Sequence, residues 1–325
     1  MFKNINNVLL RFVKSFKRIT GDIFNPLLVL ILVLIIATIL RGTQFLSAQN
    51  IINILRSNSI IGIIAMGMTM VIISGGIDLS VGSTLVIISA VIITVANNTG
   101  SIILGIFCGL GLGIFISILI SVIVTKGNVP PFIATLGMMN ICRSLSQFYM
   151  QGGGMRSTES NYRLISNSNL FNIPLPIYYL LAVTIIVWFI SQKTVFGRHI
   201  YAVGSNERAA KLSSVNINRV KMNTYILIGI CVSIAAVVES SRMNSINASS
   251  SGQLYELDAI SAVVVGGTRM SGGKGSVIGT FFGILIIGIL NNMLVLMGIQ
   301  PFLVNTVKGI IVILAVLLQH NKNPV

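Results

Sequence analysis

Four acidic residues beside apolar runs are the side chains best placed for chemistry in this 325-residue sequence. Asp78 follows a glycine pair, Glu239 lies late in an apolar run, and Glu256 and Asp258 open another run. An ionisable group at membrane depth can relay protons, bind an ion or line a translocation path. A structural role competes for Glu239, because Arg242 lies three residues further on, where the two side chains can pair on a helix.

The other three acids lie where helices are expected to begin. Gly75 and Gly76 can adopt backbone angles that end one helix, and Asp78 can then cap the next helix through its carboxylate. Glu256 and Asp258 stand in the first turn of a predicted short helix, where negative charge complements the helix dipole. We favour capping over pathway lining for Asp78, because this residue lies near a predicted membrane interface.

Spacing excludes the other motifs that could carry chemistry. The glycine-rich segment from Gly266 to Gly275 is not a phosphate-binding loop, because Gly272 is followed by Gly273 and not by lysine, and Lys274 is followed by Gly275 and not by serine or threonine. The three cysteines lie in apolar runs without ligand spacing, which argues against a disulfide framework or a metal site: Cys108, Cys142 and Cys231. We therefore predict no catalytic residue, no nucleotide site and no cofactor in this chain.

The elements that must position these residues are strongly apolar. Hydrophobic residues make up 54% of the chain, charged residues make up 9%, and the mean hydropathy is +0.91. In soluble domains about a quarter of the residues are charged.

Several apolar runs reach the roughly 20 residues that span a hydrocarbon core. The ten runs begin and end at about 26–40, 51–74, 79–96, 101–124, 131–150, 176–192, 222–241, 257–268, 275–297 and 300–319. The run at 257–268 is short, so we predict an all-α polytopic membrane protein with about ten transmembrane segments, within a range of eight to ten.

Basic residues set the predicted orientation in the membrane. The polar segment from Lys193 to Lys221 holds six Lys or Arg and one acid, Glu207. Positive charge near the ends of membrane segments is retained in the cytoplasm. The basic amino-terminal lead-in, residues 1–25, is also expected there, and it lacks the apolar core of a signal peptide. Orientation accounts for the net charge of +15 without a nucleic-acid partner.

A single permease domain is predicted at residues 26–325, with a cytoplasmic loop at 193–221 and outward loops at 151–173 and 242–258. A short helix is expected at residues 204–214 within the cytoplasmic loop. Ser205 or Asn206 can cap it, and two alanines with a leucine form a small apolar patch. This helix could serve as a mechanical handle, and a solvated connector is the alternative. The residues assigned to the handle are Gly204, Ser205, Asn206, Glu207, Arg208, Ala209, Ala210, Lys211 and Leu212.

Four stretches in order along the chain resemble the ribose-type permeases of bacterial ABC sugar importers. They cover residues 75–83, 131–139, 204–210 and 255–275, and the resemblance extends from about residue 25 to the end. It implies a homodimer in the bacterial plasma (inner) membrane, with two copies of a separate ABC ATPase that binds ATP and Mg and a substrate-binding protein that docks outside. The short helix would be the coupling helix that fits a groove of the ATPase. Ser214 departs from the glycine usual in the family, which puts the turn after this helix in question.

We therefore predict a permease subunit that is not itself an enzyme. It would import ribose or a related monosaccharide, delivered by the binding protein, by alternating access driven by the partner ATPase. Two other classes compete with this interpretation. A self-sufficient secondary carrier would couple transport to ions or protons through Asp78 or Glu239, and a membrane scaffold would transport nothing.

Overall fold

The computed structural model describes residues 24–300, 303–310 and 313, which are predominantly helical. Most of the predicted amino-terminal lead-in and half of the tenth predicted segment, 300–319, lie outside these residues. Residues 303–310 form a further helical stretch. The helices are α1 (Phe24–Leu46), α2 (Ala48–Ile73), α3 (Val81–Thr99), α4 (Ile102–Thr125), α5 (Pro131–Tyr149), α6 (Leu164–Asn167), α7 (Leu175–Lys193), α8 (Val195–Ser205), α9 (Glu207–Leu212), α10 (Ile217–Met243), α11 (Tyr255–Val265) and α12 (Val277–Leu296).

Seven of the described helices are long and apolar enough to cross a membrane, namely α1, α2, α3, α4, α7, α10 and α12. The predicted count of about ten is therefore only approximately supported. Helix α5 has 19 residues but is not among the seven. Helix α11 occupies the short eighth predicted run and has 11 residues, which is too few to span a bilayer by itself.

Helix α2 lies at the centre of the molecule and is buried along most of its length, and it packs against α7, α10, α11 and α12. Its glycines allow this close packing. A Cβ atom on Gly67 would lie 2.8 Å from Ile228 Cα in α10, and one on Gly62 would lie 2.7 Å from a Leu180 methyl group in α7. Small residues at such positions let membrane helices approach closely. Helix α1 packs on the outer side of α12 with a smaller core of its own.

Short strands join the two loops that are predicted to face outward. Strand β1 (Gly154–Arg156) pairs antiparallel with β4 (Ser245–Asn247), and Ala248 N donates to Gly153 O at 3.0 Å. A second pair, β2 (Asn169–Leu170) with β3 (Ile173–Pro174), leads into α7. We call this end of the molecule the strand end, and the end that holds residues 193–221 the basic end.

The eighth predicted segment is reached through the short strand β4 and a series of turns at residues 248–254, and it is helical as α11. We call the stretch from β4 to the end of α11 the broken segment. The chain leaves β4 at the strand end, and at Gly252 it reaches the first turn of α3, where a Cβ on Gly82 would lie 2.1 Å from Gly252 O. Helix α11 then begins and carries the chain to the basic end, where Gly273 N donates to Ile73 O at 2.9 Å. A broken segment of this kind is tolerated at membrane depth when protein surrounds it.

Candidate functional site: the basic-end helix and the charges at membrane depth

The short helix of the basic segment begins at Glu207 and ends at Leu212, so it is shorter than the predicted 204–214. Asn206 caps it, because its Oδ1 accepts from Ala209 N at 3.0 Å. Gly204 and Ser205 belong instead to the last turn of α8. Glu207 forms an ion pair with Lys221 at the start of α10, which ties the short helix to a membrane segment.

The apolar patch of α9 faces two directions. Ala210 is only 4% exposed and packs into the chain, whereas Ala209 is exposed and Leu212 is 89% exposed. Arg208 and Lys211 are exposed beside them. The surface offered to a partner is therefore a leucine and an alanine among basic side chains, and Ala210 belongs to the protein interior.

The turn after α9 takes a left-handed conformation at Ser214, whose φ is +62°. Val215 N donates to Ala210 O and Ser214 N donates to Lys211 O, both at 3.1 Å, and these bonds close the end of the helix. Glycine adopts this conformation without strain, whereas serine does so at a cost. A groove of about 460 Å³ lies beside α9, between the end of α4 and the start of α10.

Helix α8 connects α9 to the centre of the molecule. Gly204 lies against the last residue of α2, since a Cβ there would be 1.7 Å from Ile73 O and 2.7 Å from Gly273 N. The Tyr201 hydroxyl donates to Gly275 O at 3.0 Å. The glycine-rich turn that precedes α12 is thus packed backbone to backbone against α8 and α2. A displacement of α9 would therefore reach α2 and, through the glycine-rich turn, the end of α11.

Asp78 lies in the turn between α2 and α3 and is buried. Its Oδ1 accepts from Ser80 N at 2.8 Å and from Ser80 Oγ at 2.6 Å. The N-cap of α3 is Ser80, so the predicted capping by Asp78 is wrong: the carboxylate stabilises the turn before the helix. Burial raises the pKa of Asp78, and the bonds from Ser80 oppose that rise. Gly75, with φ +85°, ends α2 in the predicted way, and Gly76 packs on the Tyr225 hydroxyl.

The two acids of α11 have different partners. Asp258 is largely buried and pairs with Lys308, whose Nζ lies 2.9 Å from a carboxylate oxygen. Glu256 lies against the first turn of α3, where a Cβ on Gly82 would be 3.0 Å from its Oε2. Lys308 was missed in the sequence analysis, although a lone cation within the apolar run 300–319 is a signal that could have been used.

Glu239 does not form the predicted ion pair with Arg242. Its Oε1 accepts from the Tyr255 hydroxyl at 3.1 Å, and its buried Oε2 has no hydrogen-bond partner in the structure. No ion pair within 4.0 Å joins Glu239 to Arg242, although both residues are described. The contact links the end of α10 to the first residue of α11. In the described ranges, no three His, Cys, Asp or Glu side chains are grouped so that they could hold a metal ion.

These features define a class: a polytopic membrane protein with a broken segment at its centre and an exposed helix at its basic end. The chain belongs to the family described as the permease component of the branched-chain amino acid transport system, whose model matches residues 50–316. The resemblance to ribose-type permeases is confirmed, and the chain is a multi-pass membrane permease of the ABC-importer type.

Several curated relatives match nearly the whole chain. The ribose import permease protein RbsC of Bacillus subtilis (strain 168) is 41% identical over 301 residues, which cover 92% of this chain and 93% of the relative. RbsC of Escherichia coli (strain K12) is 38% identical over 302 residues, or 90% and 92% of the two chains. The fructose import permease protein FrcC of Rhizobium meliloti is 33% identical over 304 residues, or 90% and 83%. No solved structure matches the chain significantly.

Proposed function

We propose that this chain is the membrane-spanning permease subunit of an ABC importer for ribose or a related monosaccharide. Two copies form the membrane channel, and two copies of a separate ATPase bind ATP and Mg at the basic end. A substrate-binding protein delivers the sugar at the strand end. The basic end is cytoplasmic, in keeping with the retention of positive charge on that side.

The exposed helix α9 is the observation that carries this proposal. It presents Leu212 and Ala209 to a partner, whereas its own Ala210 and the Glu207–Lys221 ion pair hold it to the chain. Its neighbour α8 contacts α2 and the glycine-rich turn through Gly204. Closure of the ATPase dimer would move α9, and the contacts of α8 would pass that movement to the centre of the membrane domain.

The strand end supplies the second docking surface. Strands β1 and β4 hold the loops at 151–173 and 244–254 together, and many of their Ser, Asn and Gly residues are exposed. The turns between β4 and α11 lead from this surface to Gly252 and the start of α11. A sugar released by a binding protein at β1 and β4 would therefore enter beside the broken segment.

Co-purification with the ATPase tests the proposal. Wild type, Leu212→Glu and a control Ser160→Glu at the strand end would be purified in mild detergent and tested for a co-purifying ABC ATPase. Ser160 is exposed and far from α9 along the chain, so the control adds the same charge elsewhere. We expect the ATPase with wild type and with the control, and its loss with Leu212→Glu.

A reconstitution separates the competing classes. Proteoliposomes that contain the chain alone, or the chain with its ATPase and binding protein, would be given labelled ribose with ATP or with an ion gradient. ATP-dependent uptake by the full assembly only is expected. Uptake by the chain alone under a proton or sodium gradient would establish the secondary carrier. A well-folded chain that binds no ATPase and takes up no sugar would support the scaffold.

A further inference from the structure

Helix α5 lies at membrane depth but is less apolar than its neighbours. It runs beside α3, a candidate spanning helix: Thr84 Oγ1 contacts Cys142 Sγ at 3.8 Å, and the Tyr149 hydroxyl donates to Thr94 Oγ1 at 2.9 Å. Its 19 residues would cross most of a hydrocarbon core. Its composition nevertheless keeps it out of the seven described helices that are long and apolar enough to cross a membrane.

The Asn, Ser and Gln side chains that α5 exposes lie on one face, which Gly137 and, one turn earlier, the exposed Ile133 share. Gly137, Asn140, Ser144 and Gln147 are all exposed, and at 3.6 residues per turn they fall within an arc of about 80°. We call these four residues the polar stripe. The side of α5 that packs on the protein lies opposite and is formed by Ala134, Thr135, Met138, Cys142 and Ser146. The polar stripe therefore points directly away from the body of the chain.

Lipid is a poor neighbour for the polar stripe. Burial of an amide or hydroxyl group in an apolar medium without a hydrogen bond costs about 1–3 kcal/mol in proteins. The next face of the same helix does suit lipid or an apolar partner, because it exposes Ile141, Leu145 and Phe148. Both faces belong to the same helix, so the polar character is confined to one side of α5. Water or polar groups must lie against that side.

Arg143 joins the polar stripe to the broken segment. It lies at the stripe's other edge, and its Nη1 donates to Ala248 O at 3.0 Å and Ser251 O at 2.8 Å. These bonds hold the loop that precedes α11 beside α5. The loop adds further exposed polar side chains, Ser249, Ser250 and Gln253. Exposed hydrogen-bonding groups thus lie both on α5 and on the loop that Arg143 holds beside it.

We propose that the polar stripe and this loop line the path of a neutral, polyhydroxylated solute, and that Asn140, Ser144 and Gln147 hydrogen-bond its hydroxyl groups. Amide and hydroxyl side chains both donate and accept, as the hydroxyl groups of a sugar require. The path is completed by a second copy of the chain that faces the stripe. The inference rests on the proposed function and adds the residues that contact the solute.

Thiol labelling tests whether the polar stripe faces water. Asn140→Cys, Ser144→Cys and Gln147→Cys would be compared with Ile141→Cys and Leu145→Cys, all in a Cys108→Ala background because Cys108 is exposed. Cys142 and Cys231 are buried and stay in place. A charged, membrane-impermeant methanethiosulfonate reacts with thiolates in water, so we expect the stripe positions to react at least about tenfold faster than the controls. Equal rates at both sets of positions would overturn the proposal.

Ribose uptake by the assembled importer tests the contact with solute. Ser144→Leu and Gln147→Leu should lower uptake at least about tenfold, because each removes hydrogen bonds from the path. ATPase assembly and basal ATP hydrolysis should remain, since Ser144 and Gln147 lie in the half of α5 that leads to β1 at the strand end. Ile141→Leu is the matched control on the neighbouring face and should leave uptake unchanged. Normal uptake by both stripe variants would overturn the assignment of these residues.

The labelling and uptake experiments distinguish failure of the path from failure of the proposed function. Labelling needs no substrate, so a reactive polar stripe in an importer that takes up no ribose would contradict the choice of sugar and leave the water-lined path in place. An unreactive stripe in an importer that does take up ribose would contradict the path and leave the proposed function intact.

Discussion

The ammonium group of Lys308 lies 2.9 Å from both carboxylate oxygens of Asp258. This ion pair joins the helical stretch 303–310 to α11, the helical part of the broken segment. Asp258 is 8% exposed and Lys308 is 21% exposed at the side chain. A pair this buried exists because each charge compensates the other, and loss of one partner leaves the other unpaired at membrane depth.

Breaking the pair should destabilise the protein, and removing both charges should not. Lys308→Met leaves Asp258 without its cation and should lower the free energy of unfolding by about 3 kcal/mol. Asp258→Asn should do the same from the other side. The double variant should recover most of the loss. Thermal unfolding of the purified permease in detergent measures all three, and additive losses in the double variant would show that the two charges are not coupled.

The same substitution at the two alanines of α9 should affect different properties, namely stability at Ala210 and ATPase binding at Ala209. Ala210→Glu places a charge where the side chain is 4% exposed and should lower the unfolding temperature of the isolated permease. Ala209→Glu changes an exposed position, so stability should stay within about 0.5 kcal/mol while ATPase binding falls. Thermal unfolding and ATPase co-purification of each variant provide the measurements. Similar stabilities for the two variants would contradict the orientation of α9.

The contact between Gly82 and Gly252 should not accept a side chain. Gly82→Ala would bring a methyl group to 2.1 Å from Gly252 O, which must push the broken segment away from α3. We expect a loss of about 1–3 kcal/mol in unfolding free energy. Gly111→Ala in α4 is the matched control, because nothing lies within 4 Å of its added methyl group. That change should be neutral or stabilising by up to about 1 kcal/mol. Equal effects of the two alanines in thermal unfolding would refute the contact.

Relief of the left-handed backbone at Ser214 should stabilise the loop. Ser214→Gly removes the side chain at φ +62° and should raise the free energy of unfolding by about 0.5–1 kcal/mol. Ser213→Gly is the control, because Ser213 has φ −85°, so glycine there only adds freedom to the unfolded chain and should destabilise. Protease sensitivity of the 193–221 loop and thermal unfolding report both effects. A lower stability of Ser214→Gly would contradict the strain.

The sequence by itself determined the class and the general architecture. Apolar runs show where helices can span because hydrocarbon accepts only apolar, internally hydrogen-bonded segments. Ordered motifs indicated the family, and the basic segment at 193–221 identified a separate polar end. These are local or compositional properties, which a single sequence carries in full. Ending α2 at Gly75 and capping a short helix at Asn206 are equally local; the first was predicted, and Asn206 was one of the two caps considered.

Contacts between residues distant in sequence were decided only by the tertiary structure. Spacing favoured Arg242 as the partner of Glu239, but the fold brings Tyr255 to it instead. Asp258 meets Lys308 fifty residues away. The run at 257–268 was too short to span, and the fold joins it to the strand end through β4 and the turns at 248–254, which β1 and Arg143 hold in place. Packing also buried Ala210 and left Ala209 exposed, because the face that a helix buries depends on the surface against which it packs.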